Sequence, residues 1–240
     1  MIKSNNLKIL IPTCDQYIHL IEGLQYTIKK FYPNHGEVII IGYEKPKFQL
    51  SDNFTFISFG KQNGPRDWSR DLSSYLNTID EEFIMYFSDD SLMTRSADIK
   101  QIYELYKIIK NENSIGKIHL IGSLTKGYGS YVETKDYLNN VVEITQTSSY
   151  RTSLQPAIWR KSYLLSNLKI GMTPWEFELK MPKNDNVRIL STKNNHPMMF
   201  SHLFRKGGIV NNTWYKSMVF EESQLPQEDI TIIRKMLKLP

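Results

Sequence analysis

The sequence predicts an α/β protein whose mainly parallel sheet is flanked by helices on both faces. Strand and helix patterns alternate over residues 1–121, a rhythm typical of parallel sheets with crossover helices. The expected strands are short and apolar throughout, as strands covered on both faces are. Because 240 residues suffice for one domain with a substantial core, and no linker or repeat interrupts the chain, we expect a single domain over residues 1–240.

The elements of the first half can be assigned in order along the chain. Buried strands are expected at Lys8–Pro12, Val38–Ile41, Phe54–Phe59, Phe83–Phe87 and Ile118–Ile121. Apolar side chains recur at helical spacing between those strands, in residues 17–31, 68–79 and 99–109. Pro33 is expected to end the first helix, and Ser96 is a candidate N-cap for the third.

The second half of the chain, residues 122–240, has a less regular pattern. Glycines and polar residues dominate residues 122–153, apart from a strand-like run at Val141–Thr145. Helical patterns follow at 160–168 and 174–181, the latter with Thr173 as a candidate N-cap. We therefore expect a more variable second half joined to a regular first half.

The composition limits the class of protein. The longest apolar runs are far shorter than the ~18 residues that suggest a membrane span. A net charge of +5 suits an anionic ligand, but the basic residues are dispersed, so we expect no nucleic-acid partner. Cys14 is the only cysteine, which excludes an intrachain disulfide and favours a reducing, cytoplasmic location.

Two adjacent carboxylates follow the expected strand at Phe83–Phe87. Asp89 and Asp90 stand there between Ser88 and Ser91, and ligands of open α/β sheets bind beyond the carboxyl ends of the strands. Neighbouring carboxylates repel each other unless a cation lies between them, and oxygen ligands favour Mg²⁺ or Mn²⁺. Such a cation would bridge to a substrate diphosphate. The alternative is a polar turn with a helix N-cap, for which the same residue types are preferred.

The loop after the first strand, residues 12–17, contains no glycine. Dinucleotide-binding fingerprints and P-loops need glycines at this point so that the backbone can approach the phosphates. The sequence therefore argues against NAD, FAD and P-loop sites. A nucleotide phosphate would have to be held in another way, for which a metal ion on the two aspartates would serve.

Four segments in a consistent order resemble glycosyltransferases of the GT-A fold. They are the first strand and its end at Ile11-Pro12-Thr13, the Asp-x-Asp-like Ser88-Asp89-Asp90, the segment Ser153–Lys161, and Pro174-Trp175-Glu176-Phe177-Glu178-Leu179. The resemblance covers about residues 8–210. It implies a GT-A-like fold in which residues 1–121 bind the nucleotide sugar and residues 122–240 bind the acceptor.

The resemblance also implies an activity and its requirements. The enzyme would be a hexosyl- or deoxyhexosyltransferase of glycan biosynthesis, metal-dependent and inverting, moving sugar from a UDP- or GDP-linked donor to a glycan or glycoconjugate acceptor. By the family pattern Asp90 holds Mn²⁺ or Mg²⁺, and Asp89 contacts the ribose or sugar of the donor. Ser88 departs from the strict Asp-x-Asp pattern, which places the metal dependence in question. A peripheral position at a membrane surface stays open.

The general base is expected in the acidic segment around Trp175. By resemblance to the acidic motif of inverting enzymes, Glu176 is the first candidate and Glu178 the second. The alternative is that both are first-turn acids favoured by the helix dipole. Trp175 and Trp159 are candidates for stacking on sugar rings, although a core position is the commoner fate of tryptophan.

Further residues are expected at the same site. His202 is a candidate second metal ligand, although a lone histidine is more often structural. The candidate donor contacts, besides Asp89, are charged or hydrogen-bonding side chains near strand ends and a glycine loop: Thr13, Asp15, Arg66, Asp67, Gln155, Arg205 and Lys206. For Asp15 and for the segment around Asp67, helix capping is the alternative. For Gln155 the alternative is a structural position at a strand edge.

Two other function classes stay open. A nucleotidyltransferase that makes sugar nucleotides also uses carboxylates and Mg²⁺ on an α/β sheet, but such enzymes usually carry a glycine-rich basic loop after the first strand. A non-catalytic carbohydrate-binding protein could retain the transferase fold, and Ser88 in place of an acid is the feature that favours this class.

Overall fold

The computed structural model describes residues 7–121, 134–180, 185–202, 204–205, 208–209 and 225–238, without the side chains of 180 and 201–209. The strands in these ranges are β1 (Ile9–Pro12), β2 (Val38–Gly42), β3 (Phe54–Ser58), β4 (Phe83–Tyr86), β5 (Ser91–Met93), β6 (Ile115–His119), β7 (Thr134–Leu138), β8 (Val141–Ile144), β9 (Ala157–Arg160), β10 (Arg188–Thr192), β11 (Phe200–His202), β12 (Phe204–Arg205) and β13 (Gly208–Ile209). The helices are α1 (Ile21–Phe31), which follows a 3-10 turn, α2 (Asp67–Leu76), α3 (Ile99–Asn111), α4 (Lys161–Asn167), α5 (Pro174–Lys180) and α6 (Gln227–Met236).

Nine of the described strands form one sheet in the order β3-β2-β1-β4-β9-β6-β10-β8-β7. The pairings of β3, β2, β1 and β4 with one another are parallel, whereas β9 runs antiparallel between β4 and β6. Apart from β8 and β9, the strands of this sheet run in one direction. This sheet confirms the predicted α/β class, and it contains strands from both halves of the sequence.

The strand sequences explain why both faces of the sheet are covered. Because side chains alternate across a strand, Ile9 and Ile11 of β1 face one core and Leu10 faces the other. Helices α1, α3 and α6 pack on the Ile9 side, and helices α2, α4 and α5 pack on the Leu10 side. The apolar, non-alternating strands thus predicted this two-sided burial correctly.

Several boundaries differ from the expected ones. Strand β6 begins at Ile115 rather than at the expected Ile118. The expected start was too late because the polar residue Lys117 interrupts an otherwise apolar run. Ser96 is not the N-cap of α3: the helix begins at Ile99, and Asp98 Oδ1 accepts the backbone N–H of Gln101 at 3.0 Å. Within the ranges that the structure describes, no helix is both long and apolar enough to cross a bilayer.

The close packing of β6 against α4 predicts a large effect at Gly116. A Cβ placed there would lie 2.4 Å from Tyr163 Cδ1 and 2.7 Å from Val187 Cγ1. We expect Gly116→Ala to lower the free energy of unfolding by about 1–3 kcal/mol, as overpacking usually does. Urea denaturation followed by circular dichroism measures this.

Gly23→Ala is the matched control for Gly116→Ala. A Cβ at Gly23, inside α1, would approach only the flexible end of Leu237 at 3.3 Å, and alanine favours a helix. We expect this variant to be close to the wild type. Equal stabilities of the two variants would contradict the tight packing of Gly116.

Candidate functional site

The candidate site lies where the carboxyl ends of β1 and β4 meet. These strands are parallel neighbours, so the residues that follow them come together. Thr13 Oγ1 donates a hydrogen bond to Asp89 Oδ2 at 2.8 Å, and Thr13 itself is buried. The structure therefore brings together Thr13 and Asp89, two predicted donor contacts that are far apart in sequence.

The end of β2 leaves room for this contact. A Cβ on Gly42 would lie 2.9 Å from Thr13 Cγ2 and 3.2 Å from Phe56 Cε2. A larger residue at Gly42 would therefore push on the side chain that binds Asp89. The missing side chain of Gly42 therefore serves the packing of Thr13.

The two aspartates create a region that is unfavourable for further negative charge. Burial, and secondly the charge of Asp90, raise the pKa of Asp89 to about 7, although the Thr13 hydroxyl opposes that rise. Burial, followed by the charge of Asp89, raises the pKa of the Cys14 thiol to about 11. Ser88 Oγ and Ser91 Oγ share a hydrogen bond of 2.6 Å, which closes the turn that carries the two acids.

Crowded carboxylates of this kind fit a hard divalent cation. Mg²⁺ is commonly bound by one or two carboxylates together with substrate phosphates, so Asp89 and Asp90 would suffice on the protein side. Among the described residues, no group of three or more His, Cys, Asp and Glu side chains is arranged to hold a metal ion.

The backbone places His202 next to this pair of acids. Strand β11 pairs with β5, and in this register His202 lies opposite Ser91, the residue after Asp90. The side chain of His202 is outside the described part of the chain, as is that of Arg205 in β12, and Lys206 lies wholly outside it. Their predicted roles therefore stay predictions.

Asp15 connects the loops that follow the first three strands. Its Oδ1 accepts the backbone N–H of Glu44 at 2.9 Å, and its own N–H donates to Gln62 Oε1 at 3.1 Å. Asp15 is not a helix N-cap; it holds together the loops after β1, β2 and β3 at the edge where a nucleotide was expected.

Arg66 and Asp67 have structural partners at the start of α2. The Arg66 guanidinium donates to the carbonyl of Gly171 at 2.7 Å and to Glu176 Oε2 at 3.0 Å. The backbone N–H of Asn63 binds the Asp67 carboxylate and, helped by Arg70, lowers its pKa against the effect of desolvation. Asp67 thus fastens the 60–64 loop, and Arg66 fastens α5 to it.

Glu176 forms a capping box with Thr173 at the start of α5. The Glu176 N–H donates to Thr173 Oγ1 at 3.1 Å, and Glu176 Oε2 accepts the Thr173 N–H at 3.0 Å. Both Glu176 oxygens also accept hydrogen bonds from Arg66. The expected N-cap, Thr173, is confirmed. The carboxylate of Glu176, the first candidate for the general base, is bound by groups that hold the start of α5.

Glu178 faces the carboxyl edge of the sheet. Its Oε1 accepts the backbone N–H of Leu154 at 2.6 Å, next to the predicted sugar contact Gln155. Burial, and then the charges of Asp89 and Glu178 among others, raise the pKa of the fully buried Tyr86. Tyr86 therefore lies within electrostatic reach of both the aspartate pair and Glu178.

Aromatic packing fixes the position of α5. Phe177 is fully buried, with its ring centroid 5.6 Å from that of Trp68 and 6.0 Å from that of Trp159. Trp159 is a core residue, which is the commoner position for tryptophan, and it is too buried to line an open sugar pocket. Trp175 is 55% exposed and lies one helical turn before Glu178, on the same side of α5.

Two residues in the strands that lead to this edge were not predicted from the sequence. Tyr86 was assigned only to a buried strand, and Lys117 is a fully buried lysine in β6. A lysine within the apolar run from Ile115 to Ile121 was the available signal, because buried lysines are rare unless they are paired.

Comparison with known proteins supports the fold alone. No known family model and no curated protein matches this sequence. Among solved structures, CMP:2-keto-3-deoxy-manno-octonic acid synthetase complexed with CTP is similar with a TM-score of 0.53 and 11% identity, over 92% of this chain and 100% of that one.

Two further solved structures have lower TM-scores. A TarS fragment from S. aureus has a TM-score of 0.47 and 16% identity, and the match covers 80% of this chain but only 59% of the fragment. An active-site mutant of LgtC has a TM-score of 0.44 and 9% identity, over 92% and 98% of the two chains. The chain has a GT-A-like fold, a mainly parallel sheet flanked by helices, as the sequence predicted.

Proposed function

We propose that this protein is a glycosyltransferase that moves a sugar from a nucleoside-diphosphate donor to an acceptor hydroxyl with a divalent cation. One observation carries the proposal: Asp89 is bound by Thr13 where β1 and β4 end, and Glu178 is bound by Leu154 just before β9, whose first residue pairs with the last residue of β4, so both acids are held at the same end of the sheet. Paired acids for a diphosphate and a separate acid for a proton are the groups that sugar transfer requires.

The aspartate pair is the proposed diphosphate end of the site. Mn²⁺ or Mg²⁺ held by Asp90, with His202 as a second candidate ligand, would neutralise the charge of the leaving diphosphate. Asp89, oriented by Thr13, is the proposed contact to the ribose or sugar of the donor. Asp15, which holds the loops after β1 to β3, lies on the proposed nucleotide side.

The cationic candidates have different proposed roles. Arg205 and Lys206 precede the Gly-Gly pair at 207–208 and are proposed contacts to the diphosphate. Arg66 and Asp67 are proposed to act by holding the glycine loop and α5 in place, since their hydrogen bonds go to those segments. Gln155 is proposed to contact the donor sugar from the loop before β9.

Glu178 is the proposed general base. The carboxylate of Glu176 is bound to Arg66 and to the Thr173 backbone N–H. If this carboxylate turned toward a substrate, it would lose these contacts and the start of α5 would be disturbed. Glu178 instead accepts the Leu154 N–H in the loop before β9, and α5 is held by the buried Phe177 beside it. A base that removes the proton of the acceptor hydroxyl on the face opposite the leaving group is what an inverting transfer needs.

The exposed Trp175 is the proposed acceptor contact. It shares one side of α5 with Glu178, and aromatic rings combine an apolar face with low conformational entropy on binding. A sugar ring stacked there would present a hydroxyl near Glu178. A glycan or glycoconjugate is therefore the proposed acceptor class, and the cytoplasm is the proposed compartment because Cys14 is the only cysteine.

One observation favours a second candidate, a nucleotidyltransferase. The similar structure with a TM-score of 0.53 is a nucleotide-sugar synthetase bound to CTP. Against this candidate stands the glycine-free loop at residues 12–17, which gives no cradle for a triphosphate.

Product analysis separates the two candidates. Purified protein with Mn²⁺ is incubated with a panel of UDP- and GDP-sugars, and separately with nucleoside triphosphates and sugar phosphates. We expect slow release of UDP or GDP from one donor. Pyrophosphate release without donor hydrolysis would establish the nucleotidyltransferase instead.

A further inference from the structure

Lys117 is a buried lysine that sequence-based reasoning did not place at the site. Its side chain is fully buried in β6, with Nζ 4.5 Å from the centroid of the Trp159 ring. Burial lowers the pKa of Lys117 well below its usual value, while the charge of Glu178 opposes that effect and the charge of Arg151 adds to it. Such a group is retained at a cost in stability unless it has a partner.

Among the residues that the structure describes, the hydrogen-bond partner of Lys117 is one backbone carbonyl. Lys117 Nζ donates a hydrogen bond to the backbone oxygen of Ser153. That carbonyl belongs to the same peptide group as the N–H of Leu154, which donates to Glu178 Oε1 at 2.6 Å. One peptide unit therefore connects the buried lysine to the proposed base.

The order of these contacts has a physical consequence. A cation or strong donor at the carbonyl oxygen polarises the peptide group, so its N–H becomes a stronger donor on the opposite side. The Leu154 N–H points at a carboxylate, which accepts charge-assisted hydrogen bonds that are shorter and stronger than neutral ones. The carboxylate that accepts this N–H, that of Glu178, stands on a helix of only seven residues.

We propose that Lys117 is a positioning residue for Glu178, acting through the Ser153–Leu154 peptide group. This proposal rests on the proposed function in one respect, the assignment of Glu178 as the general base. It extends the site to a residue that touches neither substrate nor metal, because Lys117 lies beneath the loop that carries Gln155.

Lys161 provides a matched comparison. Its Nζ also donates to a backbone carbonyl, that of Ile79, but at the opposite end of β9 from Gln155. Lys161→Met removes the same kind of contact at a distance from Glu178. Lys117→Met replaces the buried lysine by an apolar side chain of similar length, so the core stays filled.

The direct test is the amide resonance of Leu154 in protein labelled with ¹⁵N-leucine, assigned with Leu154→Ile. In the wild type we expect the amide proton of Leu154 to resonate downfield. In Lys117→Met we expect this resonance to move upfield, by more than any leucine amide resonance moves in Lys161→Met. Thermal unfolding shows whether both variants are folded. An unchanged Leu154 resonance in folded Lys117→Met would overturn the proposal.

The kinetic test uses the donor identified by product analysis. We expect Lys117→Met to lower kcat about 10–100-fold, as the loss of outer-shell partners does, while KM for the donor stays close to that of the wild type. Lys161→Met should retain the wild-type kcat. A wild-type kcat in Lys117→Met would overturn the positioning role, whereas an inactive wild type would refute the proposed function and leave the resonance test to decide the linkage.

Discussion

Glu178→Gln should lower kcat for sugar transfer about 10²–10⁴-fold, the usual contribution of a general base. The amide oxygen of glutamine can still accept the Leu154 N–H, so the loop before β9 should keep its position. Binding of the donor should be unchanged, because the aspartate pair is untouched. Steady-state kinetics with the active donor, together with calorimetric donor titration, measures both quantities.

Glu176→Gln is the matched control for Glu178→Gln. Glutamine can keep the capping box with Thr173, so α5 should still form and only the ion pair with Arg66 is lost. We expect this variant to retain most of its kcat. If Glu176→Gln lost activity and Glu178→Gln kept it, Glu176 would be the base, as the family resemblance first suggested.

Asp90→Asn should abolish metal-dependent transfer. An amide cannot supply the negative charge that a hard cation requires, and the charge that raises the pKa of Asp89 would be removed as well. We expect no measurable turnover with Mn²⁺ or Mg²⁺, and the fold should be retained because the turn is closed by Ser88 and Ser91.

Asp52→Asn is the control for Asp90→Asn, since Asp52 is exposed and precedes β3, at the far end of the strands from the site. It should keep full activity. Full activity of Asp90→Asn would exclude the metal role. Retained binding of a glycan by Asp90→Asn, with no transfer by the wild type, would support the non-catalytic carbohydrate-binding class.

The sequence predicted the sheet, and that Thr13 and Asp89 meet at one of its edges, for a clear reason. Strands β1, β2 and β4 are nearly continuous apolar runs, and the polar residues that follow β1 and β4, such as Thr13 and Asp89, lie at the same edge once the strands are parallel. The start of α5 at Thr173 could also be predicted from the sequence, because a capping residue, a proline and an acid occur in the preferred order.

Other features depend on contacts between distant residues. The insertion of β9 between β4 and β6 depends on side-chain packing across three strands, which local patterns do not encode. The separate roles of Glu176 and Glu178 depend on where Arg66 and the Leu154 N–H lie. The link from Lys117 to Glu178 runs through backbone atoms and leaves no motif in the sequence.

The central claim is that the edge formed by Thr13, Asp89 and Asp90 binds a nucleoside diphosphate with a divalent cation. Calorimetric titration of the wild-type protein with UDP and with GDP, each with and without Mn²⁺, tests it most directly. The predicted result is saturable binding of one nucleotide that requires Mn²⁺ and is lost in Asp90→Asn. Absence of binding for both nucleotides in the presence of Mn²⁺ would contradict the claim.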